Sequence, residues 1–338
     1  MQKRRTLLTT ALVIALSSLG VSAASAGGGA AVAGSSWAAG RTSVTGSASA
    51  TGAALGAGGV PASGAAVPQC TGASRAQAQA ARARTPAPRA QAPASRAAAA
   101  PVTVWLAGDS TMANPGSAPC PVGWGSQFDA LFNSDVTVRN QAVGGRSIQT
   151  WLYEGNVSGT KGPDGECRLT STTYSSRWQA MLNTSTGMKA GDYLFIQFGI
   201  NDSSSTCPRH VGPARYQQLL TMMVQAALAR GAHPVLLTPV AAITCSGSTA
   251  TKNRGFVTET FAVGSATKAP VVDLQSLSVS LYNSLRFCPH NGDFGSGPVG
   301  AFFCNDRTHF ETYGAQRIAG LVAGDVRRQN LPLAAYLR

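Results

Sequence analysis

From Pro101 onward the sequence switches repeatedly between two hydrophobic periods, and that alternation limits what the chain can fold into more than any other feature. Short apolar, β-rich runs stand at 102–108, 136–138, 193–198, 234–238 and 270–274, the first reading Val102-Thr103-Val104-Trp105-Leu106-Ala107-Gly108. Between and after them lie stretches whose apolar residues recur three and four apart: Trp124, Phe128, Leu131 and Phe132; Leu219, Met223, Ala226 and Ala227, with Gly231 as a C-cap; and Ile318, Leu321, Val322 and Val326. These aromatic and Met positions read as core packing. Strand followed by helix, repeated, predicts a parallel sheet covered by helices on both faces.

Ligands in such folds bind beyond the carboxyl ends of the strands. Ser110, in Gly108-Asp109-Ser110-Thr111, follows the first run; the Gly144-Gly145 pair follows the second; Asn201, in Gly199-Ile200-Asn201-Asp202, follows the third. Chain order therefore predicts that three polar stretches meet on one rim. Taken singly, each also reads as an ordinary turn, because Asp, Ser, Asn and Gly all favour turn conformations.

A serine hydroxyl at such a rim becomes a nucleophile only if a base can take its proton. The candidates are His210, His233, His290 and His309. His233 precedes a strand, at the wrong end of the sheet, and His210 and His290 fall in loops. His309 differs because Asp306 stands three residues before it, in Asn305-Asp306-Arg307-Thr308-His309. That spacing lets a carboxylate hold the imidazole Nδ1-H and leaves Nε2 for the serine. The competing reading is a helix start, with Thr308 and Glu311 forming a capping box. For the oxyanion of an acyl-transfer intermediate, the available donors are the N–H groups of Ser110 and Gly145 and the side-chain amide of Asn201.

Together these four blocks resemble the signature set of the SGNH (GDSL) hydrolases, over roughly 101–331. The resemblance implies a three-layer α/β/α sandwich with a flavodoxin-like five-stranded parallel sheet. It also implies Ser110 as nucleophile, His309 as base, Asp306 as its orienter, and Ser110, Gly145 and Asn201 as the oxyanion hole. No metal and no cofactor is implied. Leu106 to Ala113, the Gly123-Trp124-Gly125 turn, Ala142 to Ser147 with Glu154-Gly155, and Ala190 to Tyr193 look like the rhamnogalacturonan acetylesterase branch in particular. That branch implies removal of acetyl groups from a plant cell-wall polysaccharide through an acyl-serine. The chain departs from it at Ile200, where the branch often has histidine, and at 287–303, which looks like an inserted loop. Arg146 reads either as a contact to an acidic sugar or as half of a structural ion pair.

Composition matters chiefly at the N-terminus. All 14 acidic residues lie after position 100 with 18 of the 27 basic ones, a net +4, so the first hundred residues carry +9. The chain opens with Lys3-Arg4-Arg5, continues through an apolar run at 7–19 and reaches Ala24-Ser25-Ala26, which reads as a signal peptide over 1–26. The run is too short for a membrane span. Arg4-Arg5-Thr6-Leu7-Leu8 also resembles a twin-arginine signal, so either export route fits and a secreted protein is expected. Residues 27–100, mostly Ala, Gly, Ser and Pro, read as a disordered spacer ahead of a hydrolase domain over 101–338. Its arginines at 75, 82, 84, 89 and 96 leave binding to an anionic polymer open.

Cys70 stands in that spacer, leaving Cys120, Cys167, Cys207, Cys245, Cys288 and Cys304 for disulfides whose connectivity sequence leaves open. Chain order sets Cys120 near Cys167 and Cys207 near Cys245, with Cys288–Cys304 closing the inserted loop. No CxxC or clustered His/Cys spacing points to a metal. A monomer acting on an acylated polysaccharide or other ester is expected, with no nucleic-acid partner. Short-chain lipase or other carbohydrate esterase remains the alternative activity, and an inactive polysaccharide-binding module the alternative class.

Overall fold

The computed structural model describes residues 100–338. The expected signal peptide, the spacer with its arginines and Cys70 lie outside the described residues. In chain order the strands are β1 (Val102–Gly108), β2 (Val136–Asn140), β3 (Val157–Lys161), β4 (Cys167–Leu169), β5 (Tyr193–Gln197), β6 (His233–Leu237), β7 (Cys245–Ser246), β8 (Thr249–Ala250) and β9 (Val271–Val272). The helices are α1 (Ile148–Tyr153), α2 (Ser176–Met181), α3 (Pro213–Ala229), α4 (Val257–Thr267), α5 (Leu274–Ser284), the single turn α6 (Gly297–Gly300) and α7 (Thr312–Arg328).

Five strands make one sheet in the order β2-β1-β5-β6-β9, every pair parallel. Counting only these strands, the order is second, first, third, fourth, fifth, which is the flavodoxin-like arrangement with its reversal between β1 and β5. Loops leaving those two strands diverge to opposite faces and open a crevice. Ser110 follows β1 and Asn201 follows β5, so both stand at its mouth. Short antiparallel hairpins, β3-β4 and β7-β8, sit outside the sheet.

Side-chain alternation explains the layers. Val104 and Leu106 of β1, Tyr193 and Phe195 of β5, and Val235 and Leu237 of β6 point to one face, where they pack with Trp124, Phe128, Tyr282 of α5 and Ile318 and Val322 of α7. Trp105, Ala107, Leu194, Ile196 and Leu236 point to the other, against Trp151 of α1, Trp178 of α2 and Tyr216, Leu220 and Met223 of α3. Strands buried on both faces read as continuous apolar runs rather than a polar–apolar alternation. That is why the sequence marks them so well.

Two expectations about elements need correction. The 124–132 stretch is not an α-helix; it forms 3-10 turns at Trp124–Gln127 and Asp129–Leu131. Its start is tied to the loop after β1, with Gly123 N–H donating to Ala113 O at 3.0 Å and Trp124 N–H to Thr111 O at 2.9 Å. Gly125 leaves no room for a Cβ, which would meet the Met112 carbonyl and Asn140. The chain therefore coils tightly, yet Trp124, Phe128 and Phe132 are all fully buried and meet edge to face at 5.0–5.3 Å. The fifth run forms only two paired residues, Val271 and Val272, before Asp273 caps α5 through the Ser276 N–H.

The cysteine pairs also differ. The disulfides are Cys120–Cys304, Cys167–Cys207 and Cys245–Cys288, so Cys288 does not close the inserted loop onto Cys304. Strand order sets the neighbours: the loop after β1 lies against the segment before α7, where Val122 N–H donates to Phe310 O at 2.9 Å. No helix among the described residues is long and apolar enough to cross a membrane.

Candidate active site

Ser110 sits on a turn locked from beneath. The Asp109 carbonyl accepts the N–H groups of Met112 (3.1 Å) and Ala113 (3.0 Å), and Asp109 Oδ1 accepts the Thr111 N–H (2.9 Å) and hydroxyl (2.8 Å). Gln197, the last residue of β5, continues the chain: its Nε2 donates to Thr111 Oγ1 at 2.7 Å and its Oε1 accepts Trp124 Nε1–H at 2.8 Å. Asp109, Thr111, Gln197 and Trp124 are all buried, so each bond is protected from competing water. Ser110 is partly exposed while its neighbours Asp109 and Thr111 are buried.

The imidazole comes from the segment before α7. Asp306 Oδ1 accepts the N–H groups of Thr308 and His309, both at 2.7 Å, which folds the turn. Its Oδ2 accepts His309 Nδ1–H at 2.6 Å, leaving Nε2 unprotonated and 2.9 Å from Ser110 Oγ. One carboxylate thus shapes the turn and orients the ring. The capping-box reading fails: Glu311 is the residue preceding α7 and makes no side-chain cap bond, while Thr308 Oγ1 accepts Arg254 Nη2 at 3.0 Å. Arg254 also donates through Nε to Val240 O at 3.2 Å, anchoring the turn to the end of β6.

The segment of Gly144 and Gly145 lies beside the nucleophile turn and is bonded to Asn201 through Arg146 O. Gly144 faces the nucleophile turn, since a Cβ on it would stand 3.7 Å from Ser110 Cβ. Gly145 adopts φ +73°, a left-handed conformation that favours glycine. Asn201 Nδ2 donates to Arg146 O at 3.2 Å and its Oδ1 accepts Arg209 Nη1 at 3.4 Å, which fixes the amide and keeps its second hydrogen available. Asp202 supports both neighbours: its carboxylate accepts Ile148 N–H at 2.9 Å and Gly199 N–H at 2.8 Å.

Residues 106–316 match the GDSL-like lipase/acylhydrolase family. The chain belongs to that family. Such a chain is a carboxylic ester hydrolase, and its relatives agree. Over 258 residues it is 32% identical to rhamnogalacturonan acetylesterase RhgT of Bacillus subtilis, covering 70% of this chain and 94% of the relative. The probable rhamnogalacturonan acetylesterase YesY of the same organism is 30% identical, covering 68% and 94%. Among solved structures, protein YxiM of Bacillus subtilis superposes with a TM-score of 0.54 at 25% identity, covering 68% of this chain and 57% of that one. The resemblance to the rhamnogalacturonan acetylesterases and the α/β fold it implied therefore both stand.

In this GDSL-like hydrolase the rim carboxylates are tuned in opposite directions. Partial burial pushes the Asp306 carboxyl up, but the bonds from the His309 ring and from two N–H groups outweigh it and hold the group below the ordinary carboxylate range. Asp202 is fully buried, and desolvation pushes it up to about 7 despite its two N–H donors. Burial also raises Asp109, against the pull of Thr111, Arg254 and His309; its Oδ2 is buried without a partner. The arrangement can deliver a deprotonated hydroxyl to an ester carbonyl and offer N–H donors to the resulting oxyanion.

Other candidates settle elsewhere. His233 opens β6 at the opposite end of the sheet, and His210 Nδ1 contacts Ser204 O at 2.7 Å in a loop. Arg146 pairs with Glu154 at 2.8 Å, and Arg177 pairs with the same carboxylate. Half exposed, that pair adds little stability. Asp202, Gln197 and Arg254 escaped sequence reasoning as supports of the site. The partners of Gln197 and Arg254 at the site lie tens of residues away, and Asp202, although it stands in the Gly199–Asp202 block, acts on Ile148 54 residues back as well as on Gly199.

Proposed function

We propose that this chain is an exported serine esterase that removes acetyl groups from a plant cell-wall polysaccharide, with rhamnogalacturonan as the leading candidate. The observation that carries the reading is the unbroken series Asp306 Oδ2–His309–Ser110 Oγ, with steps of 2.6 and 2.9 Å. In it His309 Nε2 withdraws the proton as Ser110 Oγ attacks the acetyl carbonyl. The N–H groups of Ser110 and Gly145 and the Asn201 amide receive the negative charge. Collapse expels the sugar hydroxyl, protonated by His309, and leaves an acetyl-serine. Water, activated by the same imidazole, then releases acetate.

The polysaccharide is supported by the relatives' names, RhgT and YesY being called rhamnogalacturonan acetylesterases. Export is supported by the basic start and apolar run at 1–26 and by three disulfides, which persist in oxidising compartments. Acetate release from acetylated pectin, acetylated xylan and a triglyceride series, measured side by side, tests the reading. Pectin is expected to give the highest kcat/KM. Preference for triglycerides of any chain length would replace it with a lipase.

A further inference from the structure

A cleft of about 300 Å³ opens on the flank of the base turn, between the end of β6 and the loop that departs from the family pattern. Its lining takes Thr244 from the chain after β6, Pro289, His290 and Phe294 from that loop, and Arg307 from the base turn. Arg307 is two residues from His309, which keeps their Cα atoms within ~7 Å of each other. These three segments are tied together. Ile243 N–H donates to Arg307 O at 2.8 Å, and Cys245–Cys288 joins the loop to the chain after β6.

The lining combines one cation with an apolar platform. Arg307 is exposed and takes part in no ion pair among the described residues. The nearest carboxylates are already engaged: Asp306 by His309, and Asp293, the acid of the loop, by the N–H groups of Gly295 and Ser296 and the Ser296 hydroxyl. Phe294 rests on the core below, and its ring lies 4.7 Å from that of His290. His290 Nδ1 accepts the Gly292 N–H at 3.0 Å, so its proton sits on Nε2 as a further donor. Two aromatic rings inclined at 46° beside a guanidinium outside any ion pair suit a ring that carries a carboxylate, because the planar fork of arginine matches two carboxylate oxygens.

We propose that this cleft is a subsite for a uronic-acid ring of the polymer, the carboxylate on Arg307 and the ring face on Phe294 and His290. The idea rests on the polysaccharide-esterase reading and adds what selects the chain on the far side of the base. A neutral xylose ring offers Arg307 no partner, so the subsite discriminates between acidic and neutral polymers carrying the same acetyl group.

Titration calorimetry with unacetylated oligogalacturonate and xylo-oligosaccharide of equal length tests it without turnover. The full-length protein is expected to bind the acidic oligomer at least about tenfold more tightly, with an affinity that falls as salt rises. Arg307→Gln should remove that preference and Arg307→Lys, which keeps the charge but not the fork, should keep only part of it, while circular dichroism confirms that both fold. Phe294→Ala should weaken both sugars. Equal binding of the two oligomers by the native protein, or a preference that survives Arg307→Gln, overturns the subsite. Failure of the esterase reading looks different: oligogalacturonate still binds, but no acetate is released from any acetylated polymer.

Discussion

The turn that carries Ser110 and the turn that carries His309 meet across 2.9 Å, yet they are held in place by different means. Around Ser110, Asp109, Thr111 and Met112 are buried, and the backbone is fixed by hydrogen bonds that end inside the core at Gln197 and Trp124. Around His309 the side chains stay partly open, 32% exposed for the imidazole and 45% for Asp306. That turn is held by Asp306 itself, by Arg254 and by the disulfide at Cys304. A turn at the end of a central strand inherits its rigidity from the sheet. A turn between surface elements must bring its own braces.

Perturbing the two sides should therefore give different signatures. The largest effect is expected from Ser110→Ala, with turnover of p-nitrophenyl acetate down roughly 10³-fold or more and the melting temperature little changed. Asp306→Asn should cost less than Ser110→Ala in kcat, but it should also lower the melting temperature, because the same carboxylate folds its turn. A variant that loses activity with no change in stability would mean that Asp306 only orients the ring.

Next in size comes the brace at Cys304. Replacing Cys120 and Cys304, 184 residues apart, together by serine should remove about 5 kcal/mol of stability by denaturant unfolding on loop-closure entropy. Activity should fall more steeply with temperature than in the corresponding Cys167/Cys207 double variant, whose disulfide lies away from the base turn. Equal loss in both variants would dissolve the distinction between the two regions.

The smallest effect concerns the buried side. Burial pushes Asp202 up to about 7 in the fold, against about 3.9 for an unfolded aspartate, so between these values the native state holds the extra proton. Its contribution is therefore full below the unfolded value and is lost as pH rises, by about 1 kcal/mol per unit from pH 5 to pH 7. Asp202→Asn should remove that slope whatever it does to absolute stability. Parallel stability profiles for the native and variant proteins would show that Asp202 stays ionised in the fold.

Much of the architecture was legible because the central strands are buried on both faces and so appear as unbroken apolar runs. The end of α3 was legible too: Gly231 follows its cap with φ +70°, as a helix-stopping glycine should. The 124–132 segment misled because a three-and-four spacing of large apolar residues satisfies a 3-10 coil wrapped on a core as well as an α-helix. The disulfides differ for another reason: Cys120 reaches across the fold to Cys304, 184 residues away, and this shifts the remaining pairs by one cysteine, so that Cys167–Cys207 and Cys245–Cys288 still join consecutive cysteines.

What the sequence determined by itself is local: which runs are strands, and that an Asp three residues before a His can hold its ring. Periodicity and turn chemistry act over a few residues and can be read there. Only the tertiary structure decided which loops became neighbours, because that follows from strand order. The placing of Ser110 against a residue 199 positions away, the pairing of Cys120 with Cys304 and the burial of Asp202 and Gln197 beneath the rim all depend on it.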